Sequence, residues 1–344
     1  MANRALGAPQ VPGPQPVAKP ELAAEAKAAA APLIKAGSTR VADEIFRYAM
    51  LCCGLCVLGI VGIIVYELMT KSSLSWHAFG WKFFFRSEWD PVNEQFGALP
   101  FVYGTIVSSI LALIIAVPLA VGVAIFITEM SPPWLRGPLA FTTELLAAIP
   151  SVIYGLWAIF VLVPLLRLYV EPFLGRYFGW TGLFDGPPFG IGMLAAGIIL
   201  AIMVVPIISS ITREVMTAVP RPQREAVLAL GATRWEMIRT GVLRNARAGI
   251  LGGIILGLGR ALGETMAVTM VIGNRPEISK SLLAPGYTMA SVIANEFSEA
   301  TGDVYLSALV EVGLALFLVT IIVNIFAQLL VWSVTRGTPA RGNA

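Results

Sequence analysis

Arg260 and Glu264 stand out because they are charged and lie inside an apolar, glycine-rich run at 249–273. A charged side chain at the centre of a membrane helix costs about 2.5–3.5 kcal/mol on insertion scales, against about 0.3–0.6 gained per Leu, Ile, Phe or Val. A spacing of four places both on one face of a helix, within reach of each other. Arg before Glu is the weaker order for an isolated helix, so helix propensity does not explain the pair. A protein interior or an aqueous cavity does. Two uses are open: an ion pair that fixes helix packing, or a pair that lines or gates an anion path. The planar donor fork of Arg suits phosphate or sulfate oxygens. Glu264 repels a bare anion unless Arg260 holds it, so rearranging the pair would gate passage.

Such a pair needs a bundle of helices around it, and the composition supplies one. Of 344 residues, 57% are hydrophobic and only 13% charged, about half the charge of a soluble domain. Six apolar segments are long enough to cross a bilayer. They lie at 46–68, 102–128, 139–168, 190–211, 249–273 and 306–332. Pro118, Pro150, Pro164 and Pro206 predict tilts or kinks. The fold class is therefore an all-α integral membrane protein with six transmembrane helices.

Sixteen of the 24 Lys and Arg residues fall on one side of these spans and seven on the other, with Arg260 inside. This bias predicts that both termini and the 212–247 loop are cytoplasmic. Residues 1–44, rich in Ala, Pro and Lys, read as a disordered cytoplasmic tail. Residues 45–335 read as the permeation domain, and 336–344 as a short cytoplasmic C-terminal tail. Trp76, Trp81, Trp89, Tyr169, Tyr177 and Trp180 fall in the outer loops, where aromatic rings anchor helices in the headgroups. Cys52, Cys53 and Cys56 share one apolar run, and His77 is the sole His. They read as packing residues; no metal site or cofactor is expected in the chain.

The 212–247 loop carries seven arginines and reads as helix, glycine turn, helix. Pro220 and Pro222 suit a first helical turn. Ala226, Val227 and Leu230 form an apolar stripe, Gly231 suits a left-handed helix end, and Thr233 with Glu236 fits a capping box. One reading is a docking element for another protein. The other is an interfacial helix whose arginines, Arg224 among them, pair with anionic lipid.

Here a resemblance becomes specific. Binding-protein-dependent ABC importer permeases carry a loop of the form EAA, three residues, Gly, nine residues, Ile-x-Leu-Pro. Glu225, Ala226, Gly231 and Leu243 match it, whereas Val227, Gly241 and Arg244 depart from it. The runs FGALPFVYGT, ELLAAIPSVIYGLWA and GRALGETMAV together resemble the phosphate-specific, PstC-like branch of that family over about residues 45–335. The resemblance implies a type I ABC importer permease fold in the bacterial cytoplasmic membrane. Its function would be passing phosphate from an extracytoplasmic binding protein inward. It also implies that Glu225, Ala226, Leu230 and Gly231 form the coupling element to the ATPase, and that Arg260 and Glu264 serve phosphate passage. The implied partners are a second permease (PstA-like), an ATPase dimer (PstB-like) and a phosphate-binding protein (PstS-like), within membrane lipid and without nucleic acid.

The sequence contains no Gly-Lys dipeptide, so it has no phosphate loop of the G-x-x-x-x-G-K-[ST] type. Under this reading ATP and Mg2+ are bound by a partner chain, and this chain is a transport subunit rather than an enzyme. Sulfate, molybdate or phosphonate would suit the same cationic side chain. A secondary transporter using Arg260 and Glu264 as a proton relay, or a phosphate-sensing membrane receptor, are the rival classes. The repeat of Gly249, Gly253 and Gly257 predicts close helix packing, with the third span and a partner permease as expected neighbours.

Overall fold

The computed structural model describes residues 36–335, with side chains described for 41–333. Of the expected tails 1–44 and 336–344, residues 1–35 and 336–344 lie outside the described residues. Six helices long and apolar enough to cross a membrane are present among the described residues, and none forms a strand. The first, α1 (Ala36–Lys71), begins ahead of the 44/45 boundary drawn from the sequence. Cys52, Cys53 and Cys56 are free, exposed thiols on it rather than core residues. Contacts divide the chain after Ile64, and the remaining elements belong to the second unit, Val65–Ala344.

A short helix α2 (Ser73–Phe79) leads through an irregular loop to α3 (Leu99–Met130), whose last turn widens to a π-turn at Phe126–Met130. Next come α4 (Pro133–Ala148), α5 (Ser151–Thr181) and α6 (Met193–Thr217). Hydropathy places the third span at 139–168; instead the helix stops after Ala148 and restarts at Ser151. Pro150 is the cause. It supplies no N–H, and it drives the preceding residue out of the helical region; Ile149 is accordingly extended at ψ 129°. The sequence therefore spends residues 133–148 on a separate helix and crosses later.

The remaining elements are α7 (Arg221–Ala229), α8 (Arg234–Leu262), α9 (Met289–Glu296) and α10 (Asp303–Thr335). Helix α6 is the centre of the unit: two-thirds of its most apolar window is buried, between α3 on one side and α8 on the other. The glycine repeat on α8 explains the second contact. An added Cβ would meet Val215 at 2.5 Å from Gly249, Ile211 at 3.1 Å from Gly253, and Val204 at 2.7 Å from Gly257. All three partners lie on α6. The stripe thus packs on the fourth span, not on the third span as expected.

The fifth span also differs from expectation. Instead of one helix over 249–273, α8 ends at Leu262 and residues 263–288 are irregular apart from one turn, Met266–Thr269. Backbone without a helical ladder is tolerated at membrane depth only where protein or a water-filled cavity surrounds it. Here protein does. The Val271 carbonyl is not left to lipid; its oxygen accepts from Gly192 N at 2.9 Å. Likewise Met193 N and Leu194 N donate to the carbonyls of Ala284 and Leu282 at 3.1 and 2.8 Å. Thr105 Oγ1 on α3 accepts from Met289 N at 2.9 Å. Next to it the Gly104 Cα lies so close to the Tyr287 carbonyl that a Cβ would stand 2.0 Å away.

Trp89 is not a headgroup anchor. Its ring lies 4.9 Å from Phe96 and 4.8 Å from Phe101, edge to face. Its Nε1 donates to Glu296 at 2.8 Å, and Tyr305 Oη donates to the same oxygen at 2.7 Å. Trp81 and Trp180 do remain exposed, as an anchoring role requires.

Candidate functional site: a split ion pair and an arginine-rich loop

Arg260 occupies the last turn of α8, where the helix dipole favours a cation. Gly263 caps the helix end, and Glu264 follows outside it. The two side chains nevertheless meet, Arg260 Nη2 lying 3.7 Å from Glu264 Oε2. Their surroundings are unequal: the Glu264 side chain is 6% exposed and that of Arg260 is 44% exposed. The other carboxylate oxygen of Glu264 accepts weakly from Ala267 N at 3.4 Å, opening the turn Met266–Thr269. Glu264 is therefore fixed in the buried irregular segment, while the guanidinium keeps donors free to face open space. The one-helix-face geometry read from the spacing is replaced by a pair split across a helix end. The segment that holds Glu264 is wedged against α5: a Cβ at Gly155 would meet Met270 Sδ at 2.5 Å.

The hydroxyl side chains of the second and third spans divide. Thr105, Ser108 and Ser109 are buried within the bundle. Tyr154 Oη donates to the carbonyl of Leu146 at 2.8 Å, closing the α4–α5 break. These residues hold the scaffold and are not gathered around Arg260 by any hydrogen bond the structure shows.

At the other end of α8, α7 forms where the sequence predicts a helix, but the expected apolar stripe is split, Val227 turning onto α8 while Ala226 and Leu230 are exposed. Pro220 precedes it, Gly231 takes the left-handed conformation at φ +85°, and Leu230 between them ends the helix. Thr233 and Glu236 make the full capping box, with Glu236 N donating to Thr233 Oγ1 at 3.3 Å and Thr233 N to Glu236 Oε2 at 2.8 Å. Glu225, Ala226 and Leu230 face outward, Leu230 being 89% exposed. The opposite face rests on the base of α8: Val227 packs against Gly241, and Asn245 Nδ2 donates to Gln223 Oε1 at 3.0 Å.

Val227 and Gly241 are two of the three departures from the loop pattern, and they touch. An added Cβ at Gly241 would meet Val227 Cγ2 at 3.3 Å. A valine where the pattern has alanine is accommodated by a glycine where it has isoleucine. Helix α8 then runs on to Leu262, so the base that α7 touches and Arg260 belong to one span. From Gly241 to Arg260 the rise is about 28 Å at 1.5 Å per residue.

The sequence did not single out two further ion pairs. Arg213 on α6 bonds Glu144 on α4, and Arg224 on α7 bonds Glu129 on α3 at 3.1 Å. Both border a cavity of about 1190 Å³. Partners 69 and 95 residues apart leave no local spacing to detect.

Residues 116–336 match the family of binding-protein-dependent transport system inner membrane components. The phosphate transport system permease protein PstC of Mesorhizobium japonicum is 46% identical over 302 residues, covering 87% of this chain and 92% of that protein. PstC of Xylella fastidiosa is 51% identical over 261 residues, 75% of this chain and 80% of its own. Phosphate transport system permease protein PstC 2 of Mycobacterium tuberculosis is 38% identical over 91% of this chain and 96% of its own. Among solved structures, a chain of a bacterial ABC transporter involved in import of the acidic polysaccharide alginate superposes with a TM-score of 0.56. It is 18% identical and covers 86% of this chain and 99% of that one. A chain of the inward-facing MetNI methionine ABC transporter gives a TM-score of 0.50 at 16% identity, covering 68% of this chain and 94% of that one. These two bear on the fold alone, which is that of ABC importer permeases. The chain is a multi-pass inner-membrane permease of the binding-protein-dependent transport family and belongs to its PstC group.

Proposed function

We propose that this chain carries inorganic phosphate across the inner membrane as one permease of an ATP-driven importer, with Arg260 and Glu264 guarding the path. The observation that carries the assignment of these two residues is their separation across the end of α8. Glu264 is anchored in buried backbone, and Arg260 presents an accessible guanidinium 3.7 Å away. When paired, the guanidinium is partly neutralised and the carboxylate repels an approaching anion. When parted, the guanidinium is free to offer its donor fork to phosphate oxygens. A helix end between the two residues lets Arg260 move with α8 while Glu264 stays with the buried segment beyond it.

The second half of the proposal concerns energy input. Residues 212–247 form the cytoplasmic coupling loop of a permease domain spanning 45–335, and both termini are cytoplasmic. Glu225, Ala226, Leu230 and Gly231 present the outward face of α7 to a separate ATPase, which binds ATP and Mg2+. This chain contributes no ATPase site and no cofactor of its own. A second permease, an ATPase dimer and an extracytoplasmic phosphate-binding protein complete the complex. The exposed small and apolar face of α7, backed by α8, supports this reading.

The test is uptake of labelled phosphate in cells lacking their own importer and expressing this chain with its neighbouring transport genes, with excess sulfate as competitor. ATP-dependent uptake that requires this chain and survives sulfate is the expected result. An assembled complex that moves sulfate and no phosphate would refute the substrate assignment.

A further inference from the structure

Arg224 is half-buried at the foot of α7 and makes three bonds that leave the helix. Its Nη1 donates to the carbonyl of Val219 at 2.6 Å. Its Nη2 donates to the carbonyl of Met216 at 2.8 Å and to Glu129 Oε1 at 3.1 Å. Met216 lies in the last turn of α6 and Val219 just beyond it, where the regular helical ladder ends and the Met216 carbonyl otherwise accepts from Val219 N at 3.3 Å. A cation there also complements the helix dipole. Glu129 lies in the π-turn that ends α3. One side chain thus ties the first turns of α7 to the ends of two spans. The Arg224 and Glu129 side chains are 18% and 9% exposed, so screening by salt is weak.

The other end of α7 is attached differently. It rests on α8 on both sides of Arg224, through Gln223 to Asn245 and through Val227 to Gly241, and its outer residues Leu228 and Leu230 are exposed. The cavity of about 1190 Å³ opens beside Arg224, bordered by Glu129, Arg136, Arg213 and Arg221 among others. Helix α7 is therefore held to α3 and α6 near its start, exposed near its end, and seated on α8 along the turn from Gln223 to Val227.

We propose that Arg224 is the pivot of the coupling helix. It is a positioning residue: it touches neither phosphate nor ATP. A push on the exposed end of α7 rotates the helix about Arg224 and displaces the base of α8, whose far end carries Arg260. Without the pivot the same push slides α7 along the surface and α8 is not levered. This inference rests on the reading that α7 receives the stroke of the ATPase, and it adds which residue converts that stroke into movement.

The experiment uses the whole importer in proteoliposomes and measures ATP hydrolysis and phosphate uptake in the same vesicles. Arg224→Gln removes the charge and the fork. It is expected to leave ATP hydrolysis running while uptake falls about tenfold or more, the scale of losing a charged hydrogen-bond network. ATP consumed per phosphate therefore rises. Glu129→Gln keeps both carbonyl bonds and is expected to raise that ratio by a smaller factor, about two- to threefold, as a weakened single bond would. A wild-type ratio in an assembled Arg224→Gln complex overturns the pivot. If that variant does not assemble, Glu129→Gln decides, and a wild-type ratio there overturns it equally. Ala226→Glu tests the underlying reading separately. It should block docking of the ATPase; normal assembly and uptake in that variant would refute the coupling role of α7, whatever Arg224 does.

Discussion

Arg260 closes α8 and Glu264 begins the buried segment beyond it, 3.7 Å apart across the capping residue Gly263. This is a different object from two charges on one helix face. In a continuous helix, separating an i, i+4 pair requires only rotamer changes, and both residues move together with the backbone. Here Glu264 is tied to backbone that hydrogen-bonds the start of α6, while Arg260 belongs to a helix seated on α7. The pair reports the relative position of two parts of the protein.

Packing of α8 on α6 gives a stability prediction. Gly257→Val places methyl groups where Val204 and Ile208 already stand within 2.9 Å of an added Cβ. Overpacking of this kind costs about 1–3 kcal/mol, and thermal unfolding in detergent should register it. Gly259→Ala, on the side of α8 with nothing within 4 Å, should change the midpoint little and serves as the matched control.

The contact between Val227 and Gly241 predicts a compensated exchange. Gly241→Ile alone should weaken the seat of α7 and lower ATP-coupled uptake, because its side chain meets Val227. Val227→Ala combined with Gly241→Ile restores the commoner pattern and should recover most of the loss. A double-mutant cycle on stability should give a favourable interaction of about 0.5–3 kcal/mol, the range for residues in contact. Strict additivity of the two changes would show that the contact carries no energy.

Thr233→Ala removes one half of the capping box that opens α8. Loss of such a cap costs about 0.5–2 kcal/mol. Hydrogen exchange at Glu236 N, which Thr233 Oγ1 accepts from, should quicken, with the core of α8 near Gly253 unchanged.

Much of this arrangement is legible in the residues, because local chemistry carries it. Apolar length gives six spans, and Thr233, Glu236 and Gly231 mark the ends of the loop helices by caps that act within four residues. The failures are non-local or competitive. Ile149-Pro150 holds the stop signal for α4, yet the apolar run continuing on both sides outweighs it in a reading by hydropathy. Gly263 marks the end of α8 in the same way, hidden because residues 266–272 are apolar enough to extend a span; Ala267, Val268, Val271 and Ile272 are apolar because protein buries them. A glycine stripe states that something packs closely and not what, so α6 could not be named as its partner. Arg224 reads equally well as a lipid contact, since nothing near it in sequence announces Glu129.

We assign the Arg260–Glu264 pair the guarding of the phosphate path. The most direct test is labelled-phosphate uptake by vesicles holding the complete importer with Arg260→Gln, beside Gly259→Ala as a control on the same turn. Membrane insertion and complex assembly are verified for each. Arg260→Gln is expected to assemble normally and to lose uptake by about a hundredfold, the scale of removing one preorganised charge that binds an oxyanion, while the control transports as wild type. Uptake by assembled Arg260→Gln at the wild-type rate would contradict the assignment and leave the pair as a packing device.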